Sequence, residues 1–128
     1  MSLLLDTQLA LWWQIAPERL PKTCIDTVLS AEGPVYVSRA SLWEAAIKIG
    51  IRKLHLDLPR FVDRMQTAGF QWLGIEARHI LEVPKLSTYA DHKDPFDRLL
   101  VAQSRSEPLI LLTTDTKLTR YGSTIRLI

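Results

Sequence analysis

Cysteine is nearly absent from this chain: Cys24 is the only one, so no disulfide can close within it. A reducing, cytoplasmic setting is the expectation that follows. Cys24 lies in Thr23-Cys24-Ile25 and reads as a packed thiol rather than a nucleophile. No apolar stretch approaches the ~20 residues a membrane-spanning helix needs, so no membrane partner is expected. Asp6 interrupts the first apolar run and no basic segment precedes it, which argues against a signal peptide. Gly/Ser linkers, repeats and low-complexity tracts are missing as well, so residues 1–128 are expected to form a single domain. Neither sign of charge dominates. Lys and Arg number 16 against 14 Asp and Glu, and a net charge of +2 carries little weight on its own for a polyanionic partner. The three histidines show no zinc spacing. His55 and His79 read as surface positions and His92 as a solvated loop residue.

What the chain does have is apolar residues, 47% of the total, arranged in short runs. Leu3-Leu4-Leu5 reads as a buried strand ending in the polar pair Asp6-Thr7. Leu9, Trp12, Trp13 and Ala16 follow at i, i+3, i+4 and i+7, the stripe of an amphipathic helix. Trp12 and Trp13 on that stripe are candidates for core or dimer contact. Pro17 stops the helix or opens the next. Residues 18–31 read as helical, with Leu20, Cys24, Val28 and Leu29 inward. Val35-Tyr36-Val37 is a second strand. Leu42, Ala45, Ala46 and Ile49 mark a helix closing at Gly50, and Phe61, Val62 and Met65 mark another over 58–68. Gln71-Trp72-Leu73 reads as a strand, 76–82 as a short helix and 84–93 as a loop. Asp94-Pro95 announces a helix start, with Asp94 as its cap. Leu109-Ile110-Leu111-Leu112 is the clearest buried strand, followed by a short helix over 115–121 and a last strand over 125–128. Strands alternating with helices predict an α/β fold: three α/β/α layers around a mostly parallel sheet of four to five strands. Right-handed crossovers then bring the carboxyl ends of the strands to one edge, where such sheets build their sites.

Four acids fall at that edge. Asp6 and Asp115 stand just past apolar strands, Glu44 in the first turns of the helix after Val35-Tyr36-Val37, and Asp97 in the first turn of the helix opened by Asp94-Pro95. Each also has a structural reading. Asp6 and Asp115 would cap helices, worth ~1 kcal/mol each. Ser41-x-x-Glu44 would be a capping box. Asp97 would favour a helix dipole by ~0.3–1 kcal/mol. Convergence changes the balance, because carboxylates ~5 Å apart repel by roughly 3 kcal/mol per pair at an effective dielectric of ~20. A cluster of them implies a neutralising cation, and hard oxygen donors suit Mg²⁺ or Mn²⁺ rather than Zn²⁺. Such an ion activates water and steadies the charge of phosphodiester cleavage. Thr7, Thr113 and Thr114 flank Asp6 and Asp115 and could hydrogen-bond the carboxylates or a water at the metal, or simply end the strands.

These same residues carry a resemblance. Leu3-Leu4-Leu5-Asp6-Thr7, Ser41-Leu42-Trp43-Glu44-Ala45-Ala46-Ile47-Lys48, Asp94-Pro95-Phe96-Asp97-Arg98-Leu99-Leu100-Val101-Ala102-Gln103 and Leu112-Thr113-Thr114-Asp115, in that order, resemble the PIN-domain proteins. More narrowly, the pattern is similar to the VapC-type toxins of bacterial toxin–antitoxin pairs. The Asp-Pro-Phe-Asp-Arg-Leu-Leu run is the specific part, and the likeness extends over nearly the whole chain. It implies a Mg²⁺- or Mn²⁺-dependent endoribonuclease whose acids are Asp6, Glu44, Asp97 and Asp115. It also implies a homodimer, an RNA substrate and a cognate antitoxin whose tail fills the active-site groove. Relatives often carry His where this chain has Gln8. Arg98 is expected to form a salt bridge to a carboxylate or to reach phosphate. Lys48, Arg52 and Lys53 form a basic cluster that would track an RNA backbone or merely face solvent. Two other classes compete: a non-catalytic PIN-like module binding RNA or protein, and a phosphatase-type domain with a carboxylate nucleophile. Thr7-Gln8 after Asp6 disfavours the latter.

Overall fold

Leu3–Leu5 form β1, and all three are buried because neighbours flank the strand on both sides. The computed structural model describes residues 2–128. In it β1 pairs in parallel with β2 (Val35–Ser38) and β4 (Ile110–Thr113), β2 with β3 (Gln71–Leu73), and β4 with β5 (Ile125–Leu127). The sheet order is β3-β2-β1-β4-β5, all parallel. Between strands run α1 (Thr7–Ile15), α2 (Lys22–Leu29), α3 (Arg39–Gly50), α4 (Leu58–Thr67), α5 (Ala77–Glu82) and α6 (Pro95–Ser106).

The period of two along β1 divides the core between the two faces of the sheet. Leu3 and Leu5 pack with Leu9, Leu11, Phe61 and Met65 of α1 and α4. Leu4 packs on the other face with Leu100 and Val101 of α6 and with Leu118. Helices thus cover both faces, giving the three-layer α/β/α arrangement that parallel sheets require. α4 ends in a Schellman turn: Gly69 takes φ 98°, the Gly69 and Phe70 amides bond to the carbonyls of Gln66 and Met65, and Phe70 is sent into the core. Among the described residues no helix is long and apolar enough to cross a membrane.

Three local expectations need correction. Residues 18–31 are not one helix but a 3₁₀ turn, Pro17–Arg19, and α2. Pro21 forces Leu20 into an extended conformation (ψ 128°), which breaks the segment. Leu29 then lies 74% exposed rather than in the core. The segment after Asp115 is a 3₁₀ helix, Thr116–Tyr121, and the expected loop 84–93 begins inside a 3₁₀ turn, Val83–Lys85. Trp12 and Trp13 are half-buried against the core, Trp13 meeting Phe70 edge-on at 5.2 Å. Cys24 is fully buried, and burial pushes its thiol up to about 11, which leaves it unreactive.

The chain runs outward from β1 through β2 to β3, then crosses back to place β4 on β1's other side. Between β1 and β4 the order reverses, and there a crevice opens at the carboxyl ends of the strands.

Candidate metal centre

Asp6 ends β1 at that reversal. Its Oδ1 accepts from the Leu9 amide at 2.8 Å, capping α1, and its Oδ2 accepts from the Thr113 hydroxyl at 2.6 Å. Thr113 Oγ1 in turn accepts from the Asp115 amide at 3.0 Å. Asp115 caps its own 3₁₀ helix by accepting from the Lys117 amide at 2.9 Å. One threonine hydroxyl therefore fixes the acids of two adjacent strands. Burial, opposed by these hydrogen bonds and reinforced by Asp115 and Glu44, holds the Asp6 carboxyl above its ordinary range.

Glu44 reaches the crevice from α3. The expected capping box does not form: α3 starts earlier, at Arg39, with the Ser38 hydroxyl accepting from the Ala40 amide at 3.0 Å. Ser41 instead meets Thr7 Oγ1 at 2.8 Å and fastens α3 to α1. Glu44 is thus released from capping and is 8% exposed. Its Oε2 lies 3.2 Å from Lys48 Nζ, one turn on, while its Oε1 is buried with no hydrogen-bond partner among the described residues.

Asp94 caps α6 as expected, accepting from the Asp97 amide at 2.9 Å. That bond uses the backbone of Asp97 and leaves its carboxylate free to face the crevice. The carboxyl of Asp97 is pushed up to about 6, first by burial and then by Asp94 and Glu44, against a hydrogen bond from His92. His92 is not the solvated loop residue expected but is 6% exposed, with Nδ1 2.8 Å from Tyr121 Oη and Nε2 3.2 Å from Asp97 Oδ2. Sequence spacing could not show this, because Tyr121 reaches His92 only when the 3₁₀ helix folds back along α6.

Asp6, Glu44, Asp97 and Asp115 all line one cleft of about 320 Å³, together with Asp94, Thr7, Gln8, Thr114 and Lys48. Five carboxylates face one ammonium there, an arrangement whose repulsion a cation removes. The donors fit a hard divalent ion: all are oxygens, and a bound cation would give the orphaned Glu44 Oε1 the partner it lacks among the described residues. The sequence points to capping as the main role of Asp94, and its place in the cleft lining is not legible there.

Other expected residues fall elsewhere. Among the described residues Arg98 makes no carboxylate bridge; its guanidinium donates to Ser87 O at 2.9 Å, Tyr121 Oη at 3.1 Å and Val83 O at 3.5 Å. Arg52 and Lys53 are exposed past the end of α3 and do not line the cleft. His79 is fully buried rather than on the surface. Its Nδ1 accepts from the Glu76 amide at 3.0 Å, so Nε2 carries the proton and bonds to Glu107 at 2.7 Å. Glu76, His79 and Glu107 lie close enough to share an ion, but with both ring nitrogens engaged the group serves to start α5 and tie it to the end of α6.

Residues 3–123 match the family model of the PIN domain. No curated protein sequence matches the chain. Among solved structures the fold is similar to VapBC2 from Rickettsia felis bound to a promoter DNA fragment, with TM-score 0.71 and 16% identity over 100% of this chain and 98% of that one. It is also similar to a toxin–antitoxin complex from Klebsiella pneumoniae (TM-score 0.67, 18% identity, 97% and 95% covered). DNA-bound VapBC from Salmonella typhimurium gives TM-score 0.67 at 15% identity, with 100% and 97% covered.

Proposed function

The chain belongs to the PIN-domain family, and from that premise we propose that it is a metal-dependent endoribonuclease, the toxin of a VapC-type toxin–antitoxin pair. The observation that carries this reading is the meeting of Asp6, Glu44, Asp97 and Asp115 in one cleft with Glu44 Oε1 buried and unpaired. These four acids would hold Mg²⁺ or Mn²⁺, which when bound supplies Lewis acidity at a scissile phosphate and lowers the pKa of a nearby water.

The chain's own residues prepare the site. Thr113 keeps Asp6 and Asp115 in register across β1 and β4. Lys48 restrains Glu44 and offers a positive charge at the cleft wall, suited to a phosphate. Thr7, Thr114 and the exposed Gln8 line the same wall and supply hydrogen bonds to RNA. Arg52 and Lys53 extend the basic path beyond α3. Arg98 spends its guanidinium on holding the loop before α6.

The partners follow from the same reading. A cognate antitoxin would silence the enzyme, as the complexes that share its fold are toxin–antitoxin pairs. A homodimer would cover an apolar groove of about 550 Å³ lined by Trp43, Ile75, Ile80, Leu81, Phe96 and Leu99. A reducing cytoplasm suits the single buried thiol.

RNA cleavage tests the activity. Purified protein is incubated with mixed RNA in Mg²⁺, in Mn²⁺ and in chelator, beside Asp6→Asn and Asp97→Asn. Asn caps helices as well as Asp does, and the Asp97 side chain caps nothing, so both variants are expected to fold. Cleavage should need metal and fall by more than about a hundredfold in each variant, beyond the 10–100-fold typical of groups that merely support ligands. Cleavage that persists in chelator or in folded Asp97→Asn would overturn the reading.

A further inference from the structure

We propose that His92 is a positioning residue for Asp97, its ring locked by Tyr121 so that Nε2–H holds one carboxylate oxygen and turns the other toward the cleft. The inference rests on the reading that the cleft holds a divalent cation. Its support is a chain of hydrogen bonds whose protons can be assigned. Arg98 can only donate, and its Nη1 donates to Tyr121 Oη at 3.1 Å. The single hydroxyl proton of Tyr121 is therefore left for His92 Nδ1, 2.8 Å away. With Nδ1 accepting, the ring proton sits on Nε2, 3.2 Å from Asp97 Oδ2. The opposite tautomer would leave the hydroxyl proton of Tyr121, a residue only 7% exposed, without an acceptor among the described residues.

The alternative is that His92 itself binds the ion, since ligand atoms of His92, Asp97 and Asp115 lie within 4.8 Å of one another. The proton order argues against it: a nitrogen that carries a proton has no lone pair for a metal. The anchors are also rigid. Arg98 is fixed at Ser87 O, and the Tyr121 ring is held edge-on by Tyr89 at 5.2 Å. The relay thus joins the loop before α6, α6 itself and the 3₁₀ helix that follows Asp115, so the third and fourth acids are set by one network. Orientation, not titration, is the proposed role.

Two readouts on the full chain test it. Long-range ¹H–¹⁵N NMR of the metal-free protein should show His92 as the Nε2–H tautomer, with the preference lost in Tyr121→Phe. Mn²⁺ titration followed by electron paramagnetic resonance should show about 10–100-fold weaker binding in His92→Phe. His92→Gln, whose amide nitrogen can take the place of Nε2, should recover most of the affinity, and it also serves if His92→Phe fails to fold. An Nδ1–H tautomer in the wild type, or His92→Phe binding Mn²⁺ as tightly as the wild type, overturns the inference alone. A wild type that binds no Mn²⁺ overturns the metal reading beneath it, and His92's role toward a cation falls with it.

Discussion

Asp97 is asked to be both half-buried and ionised. Burial and two neighbouring acids push its carboxyl up to about 6, against an ordinary aspartate value near 3.8. Between those values the folded, metal-free chain binds more protons than the unfolded one. Its stability should therefore fall as pH rises from about 4 to 6 and stay lower above that. Asp6, raised chiefly by burial, acts in the same direction. Glu107 and Asp91 are lowered instead, the first chiefly by the hydrogen bond from His79 and the second by that from Arg120. Stability from these two is lost as pH falls through their ordinary values of 4.5 and 3.8 and below, so between pH 5 and pH 7 they contribute little to the change. Urea midpoints at pH 5 and pH 7 check the sign: in chelator the midpoint should be higher at pH 5. Saturating Mn²⁺, which binds the ionised acids, should raise the pH 7 midpoint and remove the difference. A metal-free midpoint that climbs from pH 5 to pH 7 would contradict the burial of these acids.

Helices and strands were unequally legible. β1, β2 and β4 announce themselves because a strand covered on both faces needs an apolar run, and α6 because Asp94-Pro95 marks its first turn. α2 begins later than the sequence suggests because the apolar spacing runs on through Pro21, whose effect on Leu20 is steric and local. α3 starts three residues before its apolar stripe, since Ser38 rather than Ser41 is the cap. The apolar outer faces of α3 and α5 stay largely exposed: Trp43, although it meets Phe96 edge-on, and Leu81 are 57% and 67% exposed. A contiguous exposed apolar patch of this kind is what an interface would cover. Trp43→Glu with Leu81→Glu should therefore convert a dimer to a monomer, read as a halved mass by light scattering. A dimer that survives the pair would move the interface elsewhere, and a monomeric wild type would remove it.

At the scale of the whole molecule the site is a consequence of strand order. Because β1 lies between β2 and β4, Asp6, Glu44, Asp97 and Asp115 converge although 109 positions separate the first from the last. The βα alternation makes their meeting at one edge plausible, since Asp6 and Asp115 follow strands and Glu44 and Asp97 lie within the first two turns of their helices. The His92–Tyr121–Arg98 relay was not legible, because it depends on how the loop before α6 meets the 3₁₀ helix after Asp115. The orphaned Glu44 oxygen was equally hidden, since the sequence offered Glu44 a cap that the earlier start of α3 removes.

Mn²⁺ binding tests the central claim most directly, because it needs neither the right RNA nor an antitoxin. Free and bound Mn²⁺ would be separated by electron paramagnetic resonance at pH 7.5 for the wild type, Glu44→Gln and Asp97→Asn, each checked for folding by circular dichroism. Saturable binding by the wild type, displaced by excess Mg²⁺ and abolished in both folded variants, is the expected result. A wild type that binds no Mn²⁺, or variants that bind it unchanged, would mean that the acids serve only to cap and dock helices.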